Sequence, residues 1–365
     1  MNSDKVNTAF FPALTGFRAI AAWMIFVYHF FPFKNESLPQ IYKILADGFH
    51  IGVDMFFVLS GFLITYRYYE KINIDFNQYM LNRFARIYPM FFIITTLVYI
   101  NTLFIRQDIP DNLSTELFLN YTLTKTIFFD YHLTGVKQAW TLTLEEMFYV
   151  IAPFLFILIK KNTMWLIIIL SVIVFGGTVL HENFKNIGGT GGFLHQNIFL
   201  YFIEFFAGVT LALMLRKFKT NTKLFFTTFG SVMILFFLLT HRYLDRLELD
   251  DSLESFIKMI FLTLFGIMPL FWGLINEKNR IKDILSTKLF VLLGKSSYIF
   301  YLIHKGFIAN YIKEDIWDNI LFLFIVLNLF SILLFLYVEE PLNHKIRRKF
   351  RKKRQTILLT DEKPA

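Results

Sequence analysis

Two apolar stretches of this chain carry ionisable groups where hydrocarbon is the rule. Residues 14–33, LTGFRAIAAWMIFVYHFFPF, hold Arg18 and His29, and residues 49–69, FHIGVDMFFVLSGFLITYRYY, hold Asp54. An ionisable group inside a membrane-spanning helix is costly, so its presence points to function. Arg18 and His29 are eleven residues apart, about three helical turns, on nearly one face and roughly 16 Å apart along the axis. That is about half of a hydrocarbon core. One helix therefore presents a cation toward one surface and an imidazole toward the other. An imidazole titrates near neutrality and suits proton transfer, and a guanidinium grips phosphate through paired hydrogen bonds.

Such residues need a membrane scaffold, and the composition supplies one. The 365 residues are 55% hydrophobic and include 47 Phe, with a mean hydropathy of +0.50. That usage excludes an ordinary soluble domain. The absence of cysteine excludes disulfides, thiolate nucleophiles and Cys-ligated zinc. No HExxH-type spacing appears, and His29 with His304 does not make a zinc site, so no metal is expected.

Apolar runs of spanning length fall near residues 14–33, 49–69, 87–105, 142–159, 164–180, 197–215, 224–240, 256–275, 289–310 and 317–338. The expected fold is all-α: a polytopic integral membrane protein of about ten transmembrane helices. With the N-terminus inside, inner segments hold twenty-four Lys and Arg and outer loops nine, which puts both termini in the cytoplasm. The first run is long enough to span and reads as a retained helix, not a signal peptide. The run KIRRKFRKKR, residues 345–354, reads as an anchor on anionic lipid, and no nucleic-acid partner is expected. The division is a membrane domain, residues 1–342, and a basic cytoplasmic tail, residues 343–365. The longest outer loop, residues 106–141, is expected to form a short interfacial helix. The Gly-rich segment 185–196 follows no strand and reads as an outer loop, not a phosphate cradle.

This topology assigns depths. His29, Asp54, Glu145 and His304 come from four helices yet fall at similar depth in the outer half, with Glu204 somewhat deeper. Arg18, Arg83 and Arg86 form an inner basic layer, with Lys295 and Glu339 near it. Arg83 and Arg86 are three residues apart and share a helix face. Each residue alone has an ordinary explanation. Asp54 suits a helix–helix hydrogen bond, His29 an aromatic belt, Glu146 a helix N-terminus, Arg83 and Arg86 topology anchors, and Lys305 snorkelling. Convergence in two layers favours a site.

At these residues the chain resembles the acyltransferase 3 family of bacterial membrane acyltransferases. LTGFRAIAAWMIFVYH is similar to the family's opening helix, with its spacing of Arg18 and His29. IGVDMFFVLSGFLI resembles the second-helix motif, covering Asp54, Ser60 and Gly61. NRFARIYP resembles the basic cytoplasmic motif at Arg83 and Arg86. AWTLTLEEMFYVIAP places Trp140, Glu145 and Tyr149, and SSYIFYLIH with EEPL places Tyr298, His304 and Glu339. The likeness covers about residues 10–342. It departs at Asn82 and at Phe84-Ala85, where the family often has a further adjacent Arg, leaving fewer cations for phosphate. The C-terminal extracytoplasmic esterase-like domain of some members is not expected here.

The resemblance implies a multi-pass protein of the bacterial cytoplasmic membrane, with residues 1–342 as its acyltransferase domain. It would move an acyl group, most commonly acetyl, from cytoplasmic acyl-CoA to a hydroxyl of a cell-surface glycan or glycolipid. No cofactor would be bound permanently; acyl-CoA is the donor substrate. Arg18, Arg83 and Arg86 would meet the phosphates of coenzyme A. His29 would be the general base, its imidazole oriented by Glu145 or Asp54, or a transient acyl carrier. Ser60, Trp140, Tyr149, Tyr298, His304 and Glu339 would support the site. A transporter or flippase of polysaccharide intermediates is the alternative, but inverted repeats and broken helix pairs, which transporters often show, are not visible in the sequence.

Overall fold

The structure, a computed structural model, describes residues 10–31, 38–71, 74–184, 198–218, 225–244 and 251–361. All regular structure among them is helical. In chain order the helices are α1 Pro12–Phe30, α2 Gln40–Gly48, α3 Gly52–Tyr68, α4 Phe76–Ile100, α5 Leu113–Tyr121, α6 Trp140–Lys161, α7 Met164–Phe184 and α8 Tyr201–Lys217. There follow α9 Phe226–Leu244, α10 Asp251–Phe261, α11 Met268–Asn276, α12 Arg280–Leu285, α13 Lys288–Ile303, α14 Phe307–Tyr311, α15 Ile320–Leu334 and α16 Glu340–Asp361. Single π turns join α10 to α11 and α15 to α16, and extend α4 and α14.

Among the described residues six helical stretches are long and apolar enough to cross a membrane: Pro12–Phe30, Gln40–Tyr68, Phe76–Ile105, Lys137–Lys161, Leu253–Asn276 and Ile320–Phe350. A shorter apolar helix covers Met164–Leu180. Their outward faces are bare hydrocarbon, with Phe154, Val172, Phe175, Leu321 and Leu333 all exposed. Water would not tolerate that surface on a monomer, whereas lipid matches it. The protein is a multi-pass membrane protein.

Packing inside the bundle sets which faces meet. The α3–α8 crossing is close. A Cβ at Gly61 would strike the carbonyl of Phe205, and one at Gly208 the carbonyl of Val58, so the two backbones touch where only glycine fits. Beside the crossing, Phe148 of α6 stacks on Phe205 at 4.7 Å and meets Phe202 edge-on at 4.8 Å.

Several boundaries differ from the hydropathy reading. Helix α4 starts at Phe76, well before residue 87, because Asp75 caps it by accepting from the Gln78 N–H at 3.0 Å. Its first turns are too polar to register as a span, and Arg83 and Arg86 lie within the helix. The run 289–310 is broken: α13 ends at Ile303, and Gly306 turns the chain at φ +107°. The loop 34–48 contains α2. The 106–141 segment contains the expected short helix, α5, followed by three tight turns. The Gly-rich segment lies outside the described residues.

Candidate active site

Three helices turn polar stripes toward one another. On α6, Thr141, Glu145 and Tyr149 recur every four residues and so share a face. On α4, Arg83, Arg86 and Ile87 share another, and on α13 Tyr298 and Tyr301 share a third. With Arg18 of α1 and Phe56, Ser60 and Leu63 of α3 they line a cavity of about 850 Å³.

The basic end of this cavity adjoins more cations than the sequence motifs showed. Arg83 is buried and lies over the rings of Tyr68, Tyr79 and Tyr149 at 5.6, 6.0 and 5.5 Å. Arg86 and Arg18 are within electrostatic reach of each other and of Glu339. Two unanticipated cations join them. Arg67, at the end of α3, and Arg347, on α16, both interact electrostatically with Arg83 and Arg86. Arg347 also donates to the carbonyl of Asn82 at 3.1 Å, which ties α16 to α4. These two residues add charge beside the NRFARIYP motif. The only sequence signal was their place among the inner basic residues. The Nε atoms of Arg18, Arg83 and Arg347 are buried without a hydrogen-bond partner among the described residues. Buried donors of this kind call for an acceptor, and the repulsion of Arg86 by Arg18, Arg67 and Arg347, partly offset by Glu145 and Glu339, suits a polyanion.

In the middle of the cavity Glu145 accepts a hydrogen bond from Tyr149 and one from Ser60 Oγ at 3.2 Å. It also interacts electrostatically with Arg18. Glu145 therefore belongs with the arginines and not with an outer layer beside His29. Tyr298 donates to the carbonyl of Ile87 at 2.8 Å, joining α13 to α4.

The cavity ends at Thr141 and Tyr301, whose hydroxyls lie 3.0 Å apart. The Tyr301 hydroxyl donates to the carbonyl of Gln138 at 2.9 Å. The Gln138 amide in turn donates to the carbonyls of Leu302 and Lys305, at 2.5 and 3.1 Å. Gln138 so supplies the partners that the C-terminal end of α13 lacks. Beyond Tyr301 lies a pair of imidazoles. His304 is fully buried, and its Nδ1 is 2.7 Å from the carbonyl of Tyr301. A carbonyl only accepts, so Nδ1 carries the proton and Nε2 keeps a lone pair. The His29 ring stacks on His304 with centroids 5.3 Å apart, and His29 is exposed at the end of α1.

Two expectations about His29 are corrected here. Neither Asp54 nor Glu145 hydrogen-bonds to it; its neighbours are Tyr28, His304 and Lys305. Asp54 is seven residues before Gly61, on the α3 face that packs against α8, and there it meets the buried Glu204. Trp140 does not line the cavity either. It packs against Tyr201 at 5.6 Å, and its carbonyl accepts from Thr126 at 3.1 Å. Among the described residues no cluster of three metal-ligating side chains occurs.

The fold and site define a multi-pass helical membrane protein with an internal basic cavity that ends beside paired histidines. The chain belongs to the acyltransferase 3 family: the family's acyltransferase domain matches residues 11–338. It is 26% identical over 372 residues to YrhL of Bacillus subtilis, named a candidate peptidoglycan O-acetyltransferase, a match covering 93% of this chain and 56% of that protein. It is 28% identical over 173 residues to the peptidoglycan O-acetyltransferase OatA of Listeria monocytogenes, covering 43% of this chain and 26% of that protein. A candidate O-acetyltransferase of Staphylococcus aureus strain COL is 26% identical over 386 residues, 93% of this chain and 59% of its own length. The chain thus spans well under two thirds of the relatives it matches. No solved structure matches it.

Proposed function

We propose that this chain is a membrane O-acyltransferase that takes an acyl group, acetyl in the simplest case, from cytoplasmic acyl-CoA and transfers it to a hydroxyl of an extracytoplasmic glycan. The observation that carries this reading is one cavity with guanidiniums at one end and Tyr301, beneath the histidine pair, at the other. The phosphates of coenzyme A suit Arg18, Arg83 and Arg86, with Arg67 and Arg347 adding charge. The flexible pantetheine arm suits the apolar walls, and Ser60, Glu145 and Tyr149 offer hydrogen bonds to its amides. The thioester would then lie toward Tyr301, and its acyl carbon would reach His29 once the Tyr301 and His304 side chains, which stand between them, move apart.

At the outer end the acceptor hydroxyl gives its proton to His29 as its oxygen attacks the thioester carbonyl carbon. The carbon–sulfur bond breaks, the ester forms, and the coenzyme A thiolate takes the proton held on His29, which returns the imidazole to its neutral form. His304, stacked beneath, positions His29 in place of a carboxylate. In a second route His29 carries the acyl group itself before the hydroxyl accepts it. The relatives' names support a cell-wall glycan such as peptidoglycan as acceptor. The same reading takes ten spans with both termini in the cytoplasm of a bacterium, residues 1–342 as the catalytic domain and residues 343–365 as a basic tail. Family membership does not favour a transporter.

Release of free thiol from acetyl-CoA by purified protein tests the proposal, and the chain itself contributes none because it has no cysteine. Thiol release that depends on cell-wall glycan fragments, with an ester appearing on the glycan, is expected. Intact, coenzyme A-binding protein that consumes no thioester with any such fragment would overturn it.

A further inference from the structure

A second cavity, of about 690 Å³, opens between the π turn that ends α4, the 135–137 segment and the turn after α13. Arg106, Lys137 and Lys305 line it together with Asn101, Thr102 and Asn310, and no carboxylate does. None of the three cations is in an ion pair among the described residues. Lys137 and Lys305 are close enough to repel, and that repulsion, after burial, holds the Lys305 ammonium below the usual lysine range. The scaffold keeps them together: the residue after Lys137 is Gln138, whose amide grips the carbonyls of Leu302 and Lys305 itself. Outer loops are otherwise poor in Lys and Arg, so three cations around one cavity run against the general charge bias. Lys305 is also within electrostatic reach of both His29 and His304.

We infer that this outer cavity is an anion-binding subsite which holds a phosphate or carboxylate of the acceptor while its hydroxyl meets His29. Repulsion between fixed cations is relieved when an anion enters, and the polar amides beside them complete its hydrogen bonds. The inference rests on the proposed acyl transfer only for calling the ligand an acceptor. Its test reads binding and needs no turnover, so each can fail alone.

Inorganic pyrophosphate stands in for a lipid-linked diphosphate, oligogalacturonate for a carboxylated glycan, and maltohexaose for a neutral one. Each is titrated into the purified full chain with excess coenzyme A present, and again into the Arg106→Gln/Lys137→Gln variant. At least one anion should bind the parent in a salt-dependent way, and the variant should lose about tenfold in affinity, the sum of two modest exposed charge contacts. Which anion binds identifies its source. Independently, the bound anion should shield Lys137 and Lys305 of the parent from an amine-modifying reagent, while the exposed Lys278 stays reactive. Anion binding unchanged in the variant, maltohexaose binding as tightly, or no shielding would each overturn the inference.

Discussion

Replacing Arg86 with lysine should weaken coenzyme A binding about tenfold and leave the fold intact. Arg86 is half-buried, lines the cavity, and has Arg18, Arg67, Arg347 and Glu339 as charged neighbours but no ring stacked upon it among the described residues. Its guanidinium can give a phosphate two parallel charge-assisted hydrogen bonds, and an ammonium can keep the charge but not the fork. One such bond is worth about 1.5 kcal/mol, which is close to a factor of ten. Arg86→Ala removes the charge as well and should cost about a hundredfold. Arg83 behaves differently because its cation lies over three tyrosine rings. Each contact is worth about 0.5–1 kcal/mol and more when desolvated. Arg83→Lys should therefore lower the thermal midpoint along with donor affinity, and Arg86→Lys only the affinity. The assay is calorimetric titration of coenzyme A into detergent-solubilised protein at fixed salt, with thermal unfolding in parallel. Arg86→Ala protein that binds coenzyme A as tightly as the parent would refute the reasoning and return the residue to a topology role.

Three further outcomes are expected. His29→Ala protein should insert and fold but lose on the order of 10²–10⁴ in transfer rate; normal product at matched expression would reject its role, and an acyl adduct trapped on His29 without acceptor would select the covalent route. A reporter fused after Lys353 should read cytoplasmic and one inserted at Asp130 external; reversed signals would invert the proposed direction of transfer. Lys125, buried in the 106–141 segment with its ammonium on the carbonyls of Thr134 and Val136 at 2.6 and 2.7 Å, is pushed down by burial to about 7, with Glu116 opposing the shift. From about pH 7 up to the ordinary lysine range the unfolded loop binds a proton that the folded loop does not, so loop stability rises with pH across that window. Limited proteolysis of the loop should slow between pH 7 and 9 in the parent and show no such change in Lys125→Met.

Hydropathy made the helices legible because burial in lipid demands long apolar runs. Depth, however, is one coordinate, and the faces are set by packing. Glu145, expected at the depth of His29, lies within reach of Arg18 instead, and Asp54 turns toward Glu204. Glu145 follows the α6 stripe of Thr141 and Tyr149 into the cavity, and Asp54 follows Gly61 onto α8. His304 was legible, since it lies at the right depth on the helix that contacts α1. Arg67 and Arg347 were not, because both are distant in sequence from the α4 motif that they reinforce. Gln138 was also hidden, since nothing in the local sequence shows that its amide caps a helix more than 160 residues away.

The way the cavity stops at Tyr301 has a consequence for voltage. From that wall to the exposed His29 there are two ring contacts, with centroids 5.6 Å apart from Tyr301 to His304 and 5.3 Å from His304 to His29. If the cavity is hydrated, most of a transmembrane potential falls across that thin partition and not across the ~30 Å of hydrocarbon. A full elementary charge crossing it exchanges about 2.3 kcal/mol per 100 mV. Under the proposed transfer, a proton passing from His29 to the coenzyme A thiolate would cross that partition, and an energised membrane would then be a thermodynamic input to the reaction.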